Sequence, residues 1–221
     1  RERTLGANQT SRQWFRPNPP FPRVNWSMRN NVNMQQSALL FAMNFVAKDK
    51  DRYLNNFYLK SRRAIAKAAN EGPTAYVIPG DTARPVEAAD MVNLMRMQGI
   101  EIHKANKEFT VKDQKYAAGS YIIRMDQPYS RMADMLLDTQ YYNVSDPNPY
   151  DDTGWTFQLM RDLRILPVAD KAVLDQPMTL ITSDVKAPGG IDGTGKVLVV
   201  EHTADTSLVT FRFRNPGVKM L

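Results

Sequence analysis

The sequence predicts an α/β domain, with a mostly parallel sheet flanked by helices and a long N-terminal helical arm in front of it. Three observations predict it. Ala75-Tyr76-Val77-Ile78 is a short apolar run, 85–98 has helical spacing, and Ile100-Glu101-Ile102-His103 is a second short run. Such β-α-β spacing implies parallel strands joined by a right-handed crossover. The stretch 119–155 then reads as strand, polar turn, helix and long polar loop, the order in which open α/β sheets place ligands beyond strand carboxyl ends. Finally, 30–69 carries a helical apolar stripe that no Gly or Pro interrupts.

Taken in order, 1–29 is extended. Pro17, Pro19, Pro20 and Pro22 exclude a helix. Trp14, Phe15, Phe21 and Trp26 are too many large aromatics for a free linker, so this segment is expected to clip onto a surface. The segment 30–72 is one long helix or a helix pair. Leu39, Met43, Val46, Tyr53, Phe57 and Ala64 recur at steps of three, four and seven, and Leu40, Leu54, Tyr58 and Ile65 widen the stripe. The apolar pattern breaks at 48–51, where a bend is expected, and Gly72-Pro73 ends the helix.

The remainder, 73–221, is the predicted α/β domain. Helix 85–98 faces inward through Ala88, Val92 and Met95 and is capped by Gly99. The run 109–123 reads as a hairpin around Lys112-Asp113-Gln114-Lys115. Asp126 or Ser130 is placed to cap a helix containing Met132, Met135 and Leu136. A helix is expected over 155–163, an edge strand at Ile165-Leu166-Pro167-Val168, a strand over 178–181, and a Gly/Pro-rich loop over 184–195. Val197-Leu198-Val199-Val200 reads as a buried strand, and the alternation of Ser207–Arg214 as a half-exposed one. The chain then stops without a closing element, which gives the expectation of a cut there.

Composition narrows the chemistry. The chain has no cysteine, which excludes disulfides, a thiol nucleophile and thiolate metal sites. No apolar run approaches the roughly 20 residues of a membrane span. The net charge of +6 hides an asymmetry: residues 1–67 hold 13 Lys and Arg against 3 Asp and Glu, and the rest hold 16 against 20. The basic residues are dispersed and no nucleic-acid motif accompanies them, so a nucleic-acid partner is not expected.

Asp126-Gln127-Pro128-Tyr129 followed by a short helix, and Pro149-Tyr150-Asp151-Asp152-Thr153-Gly154-Trp155, resemble the C-terminal half of a group of large bacterial zinc carboxypeptidases. Trp14-Phe15-Arg16-Pro17-Asn18-Pro19-Pro20 and Asn30-Asn31-Val32-Asn33 are similar to the segment after the catalytic domain in that group. The resemblance runs over roughly residues 12–214. It implies a flavodoxin-like, class I amidotransferase-like domain belonging to a larger secreted or periplasmic enzyme. It also implies a zinc ion in a catalytic domain outside this chain, and that domain as partner.

The residues themselves withhold the parent's chemistry. The peptidase site takes two ligands from a His-x-x-Glu element, yet the third positions after His103 and His202 are Asn106 and Asp205. The expectation is therefore no catalytic residue, no metal ligand and no cofactor in this chain. Its role would be that of a non-catalytic accessory domain that supports or gates the peptidase. The alternative is an independent module that binds a small ligand, peptide or glycan at strand carboxyl ends. Under either reading the candidate ligand-binding residues are Asp126, Gln127, Asp151, Asp152, Trp155 and His202. Asp151-Asp152 also reads as a turn with a helix cap, and His202 as a strand-end histidine bonded locally. The aromatic arm leaves room for self-association.

Overall fold

The computed structural model describes residues 25–139, 145, 154–187, 189–200 and 206–220. Trp14, Phe15 and Phe21 of the predicted clip lie outside them. The chain forms two compact units, Arg1–Phe57 and Tyr58–Leu221.

The first unit is helical. Helix α1 spans Met28–Lys48, and helix α2, Lys50–Asn70, starts in this unit and ends in the second. Ser27 is extended before α1, and the Asn30 carboxamide accepts its backbone N–H at 2.9 Å. Trp26 Nε1 donates to Asn31 Oδ1 at 2.8 Å, which ties this aromatic to the first turn. The break expected at 48–51 falls on Asp49. The ladder nonetheless continues through it, because Asp49 N–H reaches Phe45 C=O and Tyr53 N–H reaches Asp49 C=O, both at 3.1 Å. Among the described residues no helix is long and apolar enough to cross a membrane.

The second unit is built on a sheet of five strands: β1 Ala75–Ile78, β2 His103–Ala105, β5 Tyr121–Arg124, β6 Leu166–Val168 and β7 Met178–Leu180. Their order is β6-β1-β5-β2-β7, and every pairing is antiparallel. This overturns the predicted mostly parallel, flavodoxin-like or amidotransferase-like sheet. Helix α3, Pro85–Met97, does join β1 to β2, and the two strands run the same way because both oppose β5. They are not neighbours, however. The spacing of a β-α-β unit sets strand direction but not adjacency, and β5 enters between the two to give a split unit.

Strand alternation divides the core in two. Tyr76, Ile78 and Ile123 face a layer formed by α3, the end of α2 and helix α4, Ser130–Leu137, with Met91, Val92, Met95 and Leu137 packed against them. Ala75, Val77 and Ile122 face the hairpin of β3, Phe109–Val111, and β4, Gln114–Tyr116. There the rings of Phe109 and Tyr116, a cross-strand pair, stack at 4.9 Å. The predicted hairpin over 109–123 is thus shorter, and its second half is the wedge strand β5. Pro167 sits on the edge strand β6, where its missing N–H costs no ladder bond.

A polar tie joins the helical layer to the sheet. The Lys67 ammonium, 7 % exposed, lies 3.1 Å from Asp134 Oδ2 and donates to the Gly72 carbonyl. Tyr76 donates its hydroxyl to Asp134 Oδ1 at 2.8 Å. Burial, and after it the Asp134 carboxylate, push the Tyr76 hydroxyl well up from its ordinary value. Ser130 adds a donor bond to the Ala64 carbonyl at 2.7 Å. Helix α4 therefore starts without a side-chain cap, and neither Asp126 nor Ser130 takes the capping role expected of it.

Two further expectations fail near the C-terminus. Val197-Leu198-Val199-Val200 is exposed and forms no strand. Ser207–Arg214 is a helix, α6; the short helix α5, Phe157–Met160, precedes β6. Among the described residues neither run has an adjacent strand, and an unpaired strand leaves its backbone groups unsatisfied. In α6 those groups bond within the segment, as in Thr210 N–H to Thr206 C=O at 3.0 Å.

Candidate functional site

The sequence places a ligand at the carboxyl end of β5, where Arg124, Asp126 and Gln127 lie. Arg124 closes the strand. Its guanidinium clamps Asp126 through two bonds, Nε to Oδ1 at 3.0 Å and Nη2 to Oδ2 at 2.6 Å. Nη1 donates to the Leu174 carbonyl at 3.2 Å. The hydrogen bonds from Arg124 hold the Asp126 carboxyl below the usual carboxylate range, against a smaller opposing effect of burial. A planar guanidinium gripping a carboxylate with two parallel bonds is among the stronger polar pairs available to a protein.

Gln127 is 2 % exposed, and its carboxamide acts as a short piece of ladder. Its Oε1 accepts from Glu101 N–H at 2.8 Å, while its Nε2 donates to the carbonyls of Glu101 at 2.9 Å and Arg124 at 2.5 Å. It thereby fixes the turn after β5 to the chain that enters β2.

His103 lies directly across from Ile122. That register puts it on the same sheet face as Arg124, two residues further along β5. Its Nδ1 is buried and has no hydrogen-bond partner among the described residues. Burial first, and then the Arg124 charge, lower its pKa from 6.5, with Glu101 and Asp126 opposing.

The six residues expected to bind a ligand fare differently. Asp126 and Gln127 both bond to Arg124, the first to its guanidinium and the second to its backbone carbonyl. Trp155 is partly exposed just before α5, and no described hydrogen bond or ring contact joins it to either of them. Asp151, Asp152 and His202 lie outside the described residues. The sequence reading passed over Arg124 and His103. Period-two alternation in Tyr121–Arg124 already sets Arg124 on the face of Ile122, so the first was within reach. The second needed the β2–β5 register. A separate shallow groove of about 350 Å³ lies where Lys112, Asp113 and Gln114 face Pro167, Ala169 and Asp170. Among the described residues no group of three His, Asp or Glu side chains is arranged to hold a metal.

The cluster makes the domain sensitive to acid. A histidine whose folded pKa is lowered binds its proton later than the unfolded chain does. Stability therefore falls as pH drops below 6.5 toward the folded value. Asp126 acts the same way lower down: its contribution is full above 3.8 and is lost as pH falls through its lowered folded value. The urea midpoint should accordingly decline between about pH 7 and pH 5, and His103→Gln should flatten that part of the curve. An unchanged slope in the variant would remove His103 from the account.

No protein-family model, curated protein or solved structure matches this chain.

Proposed function

We propose that this chain is a non-catalytic accessory domain of a zinc carboxypeptidase-type enzyme, where it supports or gates the peptidase domain. One observation carries the reading. The polar groups at the carboxyl end of β5 are already spent on the fold itself. Asp126 is clamped by Arg124, and the Gln127 carboxamide is filled by Glu101 and Arg124. Groups committed in this way brace loops well and serve poorly as acids, bases or ligand donors. The association with a peptidase comes from the resemblance carried by 14–20, 30–33, 126–129 and 149–155. A secreted or periplasmic location belongs to the same proposal, as do zinc in the catalytic domain and that domain as partner.

Two measurements test it. The purified chain should hold no stoichiometric zinc by elemental analysis and should release no C-terminal residue from peptides. Zinc near one equivalent, lost in His202→Ala, would overturn the non-catalytic reading. The reading frame upstream of Arg1 tests the association: a His-x-x-Glu element is expected there, and a start codon close to Arg1 would sink it.

A further inference from the structure

His103 is set where a neutral ring fits and a charged one does not. It stands on β2 between Ile122 of β5 and Leu180 of β7, its register partners on either side. Its Nδ1 is buried without a hydrogen-bond partner. When the ring takes a second proton both nitrogens become donors, and Nδ1–H then has no acceptor. A buried charged donor left unbonded is costly. The charged groups that act on the ring are Arg124, Glu101 and Asp126. Arg124 is not free to turn aside, because Asp126 and the Leu174 carbonyl hold its guanidinium. Met178, Thr179 and Leu180 of β7 bring no titratable group. On this face of the sheet the hairpin packs Phe109, Val111 and Tyr116, whose hydroxyl burial pushes further up. The segment after β6 packs Val173 and Leu174 there, with Asp175 acting on Arg124.

The two strands beside His103 are not held equally. β5 pairs with β1 as well as with β2. β7 is the last strand of the sheet and pairs with β2 alone, and its Thr179 and Leu180 are exposed. The bonds along this edge include Ile181 N–H to Ile102 C=O at 2.9 Å, Asn106 N–H to Pro177 C=O at 3.0 Å and Thr179 Oγ1 to Asn106 Oδ1 at 2.8 Å. Parting this edge brings water to Nδ1 at the smallest loss of pairing. We propose that His103 is an acid-operated latch, whose protonation loosens β7 from β2 while β1 and β5 stay paired. Arg96 Nε, bonded to the Ile181 carbonyl at 3.1 Å, keeps the loosened strand tied to α3. The latch works below pH 6.5, and Asp126 is still charged there because its carboxyl is held below 3.8.

Amide hydrogen exchange, followed by NMR on the 221-residue chain at about pH 7.5 and about pH 5, tests it. Protection factors remove the intrinsic pH dependence of exchange. Protection of the Ile181 and Asn106 amides should fall by about fivefold or more at the lower pH, the low end for coupling between a bound ligand and a conformational change. The Thr74 and Met125 amides, bonded to the Val168 and Thr74 carbonyls, should keep theirs. His103→Gln should abolish the difference and retain the protection of Thr74 and Met125. Equal protection of Ile181 and Asn106 at both pH values overturns the inference. So does an equal loss at Thr74 and Met125, or a loss that persists in His103→Gln. Should that variant not fold, the parent decides: its His103 ring should titrate below 6.5, and a midpoint at or above that value overturns the latch. The inference does not rest on the proposed function, and no result here changes the zinc or reading-frame tests.

Discussion

Asp134→Ala should lower the unfolding free energy by about 3 kcal/mol, the low end for breaking a buried pair from one side. The low end applies because Asp134 is 26 % exposed while Lys67 is 7 % exposed. The substitution takes the counter-charge from a buried ammonium and the acceptor from the Tyr76 hydroxyl in one step. A carbonyl of Gly72 remains for Lys67, which is too little for a full charge away from water. The midpoint of thermal unfolding should fall by about 6–12 °C for a domain of this size. The double change Lys67→Met, Asp134→Leu should be milder, since it leaves no orphaned charge behind. A loss under about 1 kcal/mol for Asp134→Ala would show that water, rather than the pair, solvates Lys67.

A comparable loss, about 3 kcal/mol at the upper end for overpacking, is expected from Gly80→Ala. The added methyl would stand 2.5 Å from the Ala118 carbonyl, 2.8 Å from Ser120 N and 2.9 Å from Gly119 C. All three are backbone atoms and have no rotamer to escape into. The surrounding bonds tighten the constraint. Gly80 N–H donates to Ser120 Oγ at 2.9 Å, that hydroxyl donates to Ala117 C=O at 2.7 Å, and Gly119 N–H donates to Ala105 C=O at 2.9 Å. These contacts hold the turn that leads into β5 against the end of β1 and against β2. Urea unfolding measures the loss, and a variant within 0.5 kcal/mol of the parent, the range of an ordinary surface change, would show that the turn shifts freely.

The local elements were legible where the pattern was strong and short-ranged. Ala75–Ile78 has no exposed residue and lies mid-sheet, as four consecutive apolar or aromatic residues suggest. Helix α3, the end of α2 before Gly72-Pro73 and the edge position of Pro167 follow from periodicity and from what Gly and Pro do to a backbone. The α1 stripe has the spacing of a core, yet no residue of α1 is buried.

Sequence by itself determined which segments are helices or strands over most of the second unit, the absence of thiol chemistry, and the strand end on which Asp126 and Gln127 sit. Tertiary structure alone decided the sheet. Nothing in Tyr121–Arg124 says that it will part β1 from β2, because pairing depends on which backbone edges are brought together. In the fold β5 lies between β1 and β2, and Gly80 packs closely against the turn before β5. It also decided what the site residues do. A carboxylate and a carboxamide after a strand look free in a sequence. In the fold Asp126 meets Arg124 and Gln127 meets Glu101, because buried polar groups must find partners. The C-terminal runs show the converse. Alternation in Ser207–Arg214 promised a strand, but no strand among the described residues lies beside it, and the segment closes its hydrogen bonds on itself as a helix.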